Sequence, residues 1–245
     1  MFDLAKFNEQ DAKRLGVELI KCSAKASDIR EAAEATVRFL FENLTETDGN
    51  KQSLVLARLF LTIPLKDLQG KIHQTATTAL SNKHQHTNFT KCLVLLATAG
   101  VEPTWNDISK STGHQAIPLQ NKQSVQNIPM ISRMLTQFGL DLDAVLSVDP
   151  DALRQWQKTS LNAFHIPVAK DSPYIPAQND FVVPYNVRSV LGCGGILQSS
   201  RFFSLILFSQ TQIPNETANA FRKISEDLRT ALDIGNMERS SPFSL

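Results

Sequence analysis

The chain has 245 residues, 42% of them hydrophobic and 20% charged, with a formal net charge of +1. That is ample length for one large core, and the near-zero charge removes the electrostatic case for nucleic acid or an anionic membrane as partner. The longest apolar runs, LVLLATAG at 93–100 and LILF at 205–208, are too short to span a bilayer, and the first residues lack the pattern of a secretory signal.

In chain order, Leu15, Val17, Leu19 and Ile20 among charged residues predict a helix over 8–22 with an imperfect apolar face. Ser27 and Asp28 offer a start for a second helix, EAAEATVRFLFENL, rich in Ala and Glu. SLVLARLFLTIP at 53–64 predicts a strand with Arg58 and Thr62 at outward positions. LKDLQGKIHQTATTAL reads as a helix weakened by Gly70, and SNKHQHTNFTK as a loop. CLVLLATAG at 92–100 is a continuous apolar run, as expected of a strand covered on both faces. After the irregular stretch VEPTWNDISKSTGHQAIPLQNKQ, a helix is expected from Pro129 and a short one from Asp149 and Pro150. HIPVAKDSPYIPAQNDF is a proline-rich loop. FVVPYNVRSVLGCGGIL and RFFSLILFSQ read as strands joined by QSS. One helix is predicted from Asn215 to Ile234, with Ala218, Phe221, Ile224, Leu228 and Leu232 on its apolar stripe and Arg222, Lys223, Glu226 and Arg229 on a wet face. That stripe is expected to pack on an N-terminal helix, of the same chain or of a twin. No internal repeat or linker is visible, so one domain is the simplest count.

This order of elements is the one expected of a GAF-like or PAS-like sensory domain. The stretches RLFLTIPLKDL, CLVLLATAGVEPTWNDISKSTGHQAIPL, PMISRMLTQFGLD and FHIPVAKDSPYIPAQNDFVVPYNVRSVLGCGGIL resemble a GAF-like input region of bacterial signalling proteins such as histidine kinases. The most specific pieces are WND followed by GHQAIPL, and SPYIPAQNDFVVPY. The resemblance implies an α+β fold, a GAF/PAS-like central antiparallel sheet flanked by N- and C-terminal helices. It divides the chain into an N-terminal helical extension over 1–26, a sensory domain over 27–234 and a polar tail over 235–245. It carries no agreed ligand. The sequence contains no phosphoacceptor helix, ATP-binding domain or cyclase motif, so the expectation is a stand-alone cytoplasmic sensor that hands its signal to a separate partner protein. The cyclic-nucleotide GAF signature is not recognisable.

Several residues invite chemistry. GCGG at 192–195 lacks the Lys-Ser/Thr of a phosphate loop, and glycines there suit a bend or a close backbone approach. Cys193 with His165 or His114 could form a nucleophilic pair, although a lone Cys in a strand is more often a small core residue; three scattered cysteines otherwise fit reduced thiols. His84 and His86 in KHQH have no further metal ligand beside them. One axial histidine is enough for haem, so His114 and His165 keep that cofactor open. Trp105, Asn106, His114, Tyr174, Gln178 and Tyr185 combine rings with donors and acceptors, as a small-molecule pocket requires; the same residues could equally fasten long loops to the sheet. The reading that follows is a non-catalytic sensor binding a small ligand at these residues and Cys193, working as a homodimer. An enzyme using Cys193 is the alternative.

Overall fold

The computed structural model describes residues 1–46, 51–80, 87–157, 159 and 161–236. Eight strands and eight α-helices alternate with short 3-10 turns among these residues. The centre is a six-stranded antiparallel sheet. Its strands are β3 (Leu54–Pro64), β4 (Lys91–Gly100), β5 (Ala116–Leu119), β6 (Phe164–Ile166), β7 (Ser189–Ile196) and β8 (Phe202–Ser209), in the order β5-β4-β3-β8-β7-β6. The fold class is therefore the one expected, α+β with a central antiparallel sheet and flanking terminal helices.

One face of the sheet carries the helical layer. It holds α1 (Glu9–Ser23), α2 (Ile29–Asn43), α7 (Asn215–Phe221) and α8 (Ile224–Asn236). Asn8 opens α1 with a capping box and Asp28 accepts the Glu31 amide at the start of α2, so both helices begin where side-chain oxygens satisfy otherwise unpaired N–H groups. Leu15 and Leu19 of α1, Val37 and Leu40 of α2, and Phe221, Ile224, Leu228 and Leu232 share one core with Leu59, Leu61, Leu96 and Leu205 of the sheet. Gly16 of α1 meets Asp227 of α8 so closely that no Cβ fits between them. A short parallel ladder, β1 (Phe2–Asp3) with β2 (Leu44–Thr45), ties the first residues to the end of α2. Residues 1–26 thus belong to the same core as the rest.

The other face is roofed by the segment between β4 and β7. It contains α4 (Lys122–Gln126), α5 (Pro129–Phe138) and α6 (Leu142–Leu146), and its apolar side chains join Leu56, Phe60, Leu93, Leu95 and Ile206 in a second core. Both faces are covered, which is why Leu93, Val94, Leu95, Leu96, Leu205, Ile206 and Leu207 are all buried in consecutive positions.

Four local expectations are corrected. The C-terminal helix is broken at 222–223 into α7 and α8, and Arg222 and Arg229 are half-buried rather than wet. Arg229 donates to the Gln157 carbonyl. AIPL and FHI, inside stretches read as loop, are the edge strands β5 and β6. The strand read into FVVPYNVR starts only at Ser189. Thr62 is not outward: it is buried, its Oγ1 donating to the Phe202 carbonyl at 3.2 Å and accepting the Phe202 amide at 2.9 Å.

Candidate functional site

The polar groups that matter lie on the roofed face. On β3, Leu56 and Phe60 face the roof while Ala57 and Leu59 face the helices, so strand alternation puts Arg58 under the roof. The outward position read from the sequence is thus a covered one. Arg58 sits opposite Thr98 of β4 and Ile206 of β8. Its Nε is buried and has no hydrogen-bond partner. Burial alone pulls its guanidinium down to about 10, and no carboxylate offsets that among the described residues. A buried cation without a counter-charge is costly, and native proteins rarely keep one without a use.

The roof over Arg58 is the 101–115 stretch. Asp107 caps a single 3-10 turn through the Ser109 amide. Gln115 donates to the Ser109 carbonyl at 2.7 Å and accepts from Thr75 Oγ1 at 3.2 Å, fastening the loop to α3 (Gly70–Thr78). The turn from Ser111 to His114 is closed by the His114 amide on the Ser111 carbonyl. Ser111 Oγ is buried without a partner. His114 Nδ1 lies 3.1 Å from the Thr112 carbonyl, which can only accept, so Nδ1 carries the proton and Nε2 is left as the acceptor. Desolvation first, and the Arg58 charge second, hold this imidazole below its ordinary range, with the Thr112 carbonyl opposing. The Arg58 charge thus reaches the His114 ring, and Ser111 stands in the same turn as His114. Sequence reasoning missed Arg58 and Ser111. The available signal was an arginine in the middle of an otherwise apolar strand.

The remaining nominated residues fall into separate groups. Trp105 rests on Gly100, where an added Cβ would come 2.8 Å from the Trp105 Cβ. Its ring packs on Tyr185 at 4.6 Å and Phe181 at 5.5 Å, and Tyr185 Oη donates to Glu102 at 3.0 Å. The Asn106 amide is spent on the backbone: it accepts the Gly100 amide and donates to the Gly100 and Glu102 carbonyls. Gln178 is spent likewise, accepting the Asp171 amide at 2.9 Å and donating to the Ile175 carbonyl at 2.8 Å and the Ala169 carbonyl at 3.1 Å. Tyr174 stacks under the Arg133 guanidinium at 5.1 Å. No hydrogen bond or ring contact among the described residues joins Tyr174 or Gln178 to Trp105 or His114. Asn106 and Gln178 hold loops in shape. Trp105 lies beside Arg58 through Thr98, whose hydroxyl donates to the Trp105 carbonyl at 2.8 Å.

Cys193 is on the opposite face, in the helical layer, and fully buried. It cannot line a site with Trp105 and His114. Burial pushes its thiol up to about 12, against a weaker opposing bond with Ser225. It is a thiol, not a thiolate, at neutral pH. His165 donates from Nε2 to the Ile213 carbonyl at 3.1 Å, and no contact among the described residues joins Cys193 to His165 or His114. The nucleophilic pair is not assembled, and His165 Nε2 is not free to bind haem iron. His84 and His86 lie outside the described residues. Among those described, no group of three His, Cys, Asp or Glu side chains is placed to hold a metal, and no helix is long and apolar enough to cross a membrane. The glycines of GCGG serve close packing: a Cβ on Gly194 would lie 2.7 Å from the Phe203 carbonyl oxygen and 2.9 Å from the Phe138 ring.

No family model and no curated protein matches the chain. Among solved structures it is similar to the free methionine-R-sulfoxide reductase of Neisseria meningitidis in complex with its substrate, at 10% identity and a TM-score of 0.49, over 96% of each chain. It is also similar to the GAF domain of a phosphoenolpyruvate-protein phosphotransferase from Coxiella burnetii, at 12% identity and a TM-score of 0.46, over 91% of this chain and 92% of that one.

Proposed function

We propose that this chain is a non-catalytic, cytoplasmic sensory domain of bacterial signalling that binds a small molecule with an acidic group on the roofed face of its sheet. The observation that carries the reading is Arg58, whose buried Nε has no acceptor among the described residues. A carboxylate or phosphate is the ligand chemistry that satisfies a guanidinium. Ser111 supplies a further donor, and the nearby rings of Trp105 and Tyr185 supply an apolar wall. The ligand acts by population shift: it favours whichever arrangement of roof and terminal helices presents these donors best. The terminal helices then carry that preference to a signalling partner. The domain works as a homodimer in this reading. Its interface lies outside the Phe221–Leu228 stripe, which the chain uses internally; Val17 of α1, half exposed, belongs to a free helix face.

Native mass spectrometry of freshly purified protein, wild type beside Arg58→Gln, tests the reading. The expected result is a small acidic molecule retained by the wild type and lost from the variant. Identical spectra, with no retained mass and no gain in melting temperature from small carboxylates or phosphomonoesters, would overturn it. The same spectra report the oligomeric state, and an absorption spectrum reports haem. The pH dependence is specific. An anion beside His114 favours the protonated imidazole, so binding tightens as pH falls through the range of His114, below 6.5 in the free protein. His114→Gln removes that dependence.

A further inference from the structure

A second cluster of cationic groups lies at the β6 edge of the sheet, away from Arg58. There a cleft of about 470 Å3 opens between α5, β6 and α7. Its polar lining includes Arg133, Gln137, Asn162, His165, Asn219 and Arg222, and it contains no carboxylate. Neither arginine is in an ion pair among the described residues. Arg222 Nε is buried without a partner, and its Nη1 lies 3.5 Å from Asn162 Oδ1, at the outer limit of a hydrogen bond. Arg133 is held from behind by its stack on Tyr174. Gln137 braces the floor: it accepts the His165 amide at 3.0 Å and donates to the His165 carbonyl at 3.1 Å, so it fixes β6 to α5 and is not free for a ligand. The His165 ring is fixed in turn by its bond to the Ile213 carbonyl.

We propose that this cleft is a binding site for a small molecule carrying a compact, doubly charged oxyanion, clamped between Arg133 and Arg222. Its size suits a small metabolite, and two unpaired guanidiniums facing one void without a counter-charge call for phosphate or paired carboxylates. Its position gives binding a consequence. Arg133 belongs to the roof, whereas Arg222 occupies the break between α7 and α8. An oxyanion held by both ties the roof to the one joint in the C-terminal helix. The proposal does not depend on a ligand at Arg58.

The test is calorimetric titration of the full chain with inorganic phosphate and, separately, with succinate, at constant ionic strength. The wild type is expected to bind at least one of them. Arg133→Gln and Arg222→Gln should each weaken binding by about tenfold or more, Arg222→Lys should weaken it less, and binding at this cleft should persist in Arg58→Gln, which removes only an anion held on the roofed face. Phosphate alone marks a phosphomonoester ligand; succinate alone marks a dicarboxylate. Hydrogen exchange over residues 213–230 should slow on binding in the wild type and not in Arg222→Gln. Far-ultraviolet circular dichroism establishes that each variant is folded. Two results overturn the proposal: no binding of either probe up to about 10 mM, or binding in the Arg58→Gln background that survives both arginine variants. Binding lost only in Arg58→Gln also overturns it, and places the anion on the roofed face instead.

Discussion

Replacing Arg58 by methionine should make this protein more stable. Burial pulls the guanidinium well below its ordinary range, to about 10, and each tenfold change in a proton equilibrium corresponds to about 1.4 kcal/mol. Keeping the charge in place therefore costs about 3 kcal/mol, as an order of magnitude. Methionine retains most of the apolar stem that Arg58 packs between Leu56 and Phe60, and removes the charge. The expected gain is about 1–3 kcal/mol, or a rise in melting temperature of about 2–4 °C per kcal/mol for a chain of this size. The sign has a pH signature. A guanidinium depressed by burial is charged in both states at neutral pH, so the whole penalty is present there and fades only in strong alkali, above about pH 10. The stability gap between Arg58→Met and wild type should therefore be flat near neutrality and close in strong alkali. Urea unfolding followed by fluorescence of Trp105 and Trp156 measures it. A variant less stable than wild type by more than about 1 kcal/mol would refute the reasoning, because it would mean that the guanidinium already has a partner within the fold and waits for no ligand.

Three further outcomes follow from the packing. Leu95→Ala or Ile206→Ala should cost about 2–5 kcal/mol, since both side chains are buried under the roof; losses below about half a kilocalorie at both sites would contradict a closed second core. Gly194→Ala should cost about 1–3 kcal/mol, because its Cβ meets a backbone carbonyl and the Phe138 ring, and an unchanged urea midpoint would show that the roof yields easily. Cys193 should resist a thiol reagent at neutral pH until denaturant is added; rapid modification in the native state, mapped by mass spectrometry, would reopen the catalytic alternative.

What could be read in advance follows physical lines. The central strands β4 and β8 were legible because burial on both faces leaves uninterrupted apolar runs. The same burial hid the role of Arg58: an alternation rule calls every second residue outward, but in a sheet covered twice the outward side is a second interior. The edge strands were illegible because AIPL and FHI are short, and Pro118 argues locally against a ladder. The break in the last helix left no mark, since its apolar stripe continues through Phe221, Ile224 and Leu228 with no Gly or Pro at 222–223. Asn106 and Gln178 were chosen as ligand groups because an amide that closes a loop and an amide that grips a ligand are the same chemical group; only the positions of the carbonyls decide.

Both faces of the sheet leave buried polar groups unpartnered. The helical layer is packed tight, with Phe221, Ile224, Leu228 and Leu232 fully buried. Arg58, Ser111 and Ser204 on the roofed side are buried polar groups without partners, but so are Thr36 of α2, Ser225 of α8 and the Arg222 Nε between α7 and α8. Besides the Arg229–Gln157 bond, the roofed side is joined to the terminal helices by a polar network along the sheet edge. Ser53 of the chain entering β3 shares hydroxyl hydrogen bonds with Ser209 at 2.8 Å and Thr211 at 2.6 Å. The Ile213 amide donates to Ser189 Oγ at 3.0 Å, and Ser189 Oγ donates to the Pro167 carbonyl at 3.0 Å. The Ile213 carbonyl accepts from His165. The five residues between the last strand and α7 are thus bonded to β3, β6 and β7 at once. Buried polar networks of this kind are expensive to leave half-made, so the linker moves as a unit with the sheet edges or not at all. Displacing β3 or β6 should therefore strain the bonds that hold the start of α7.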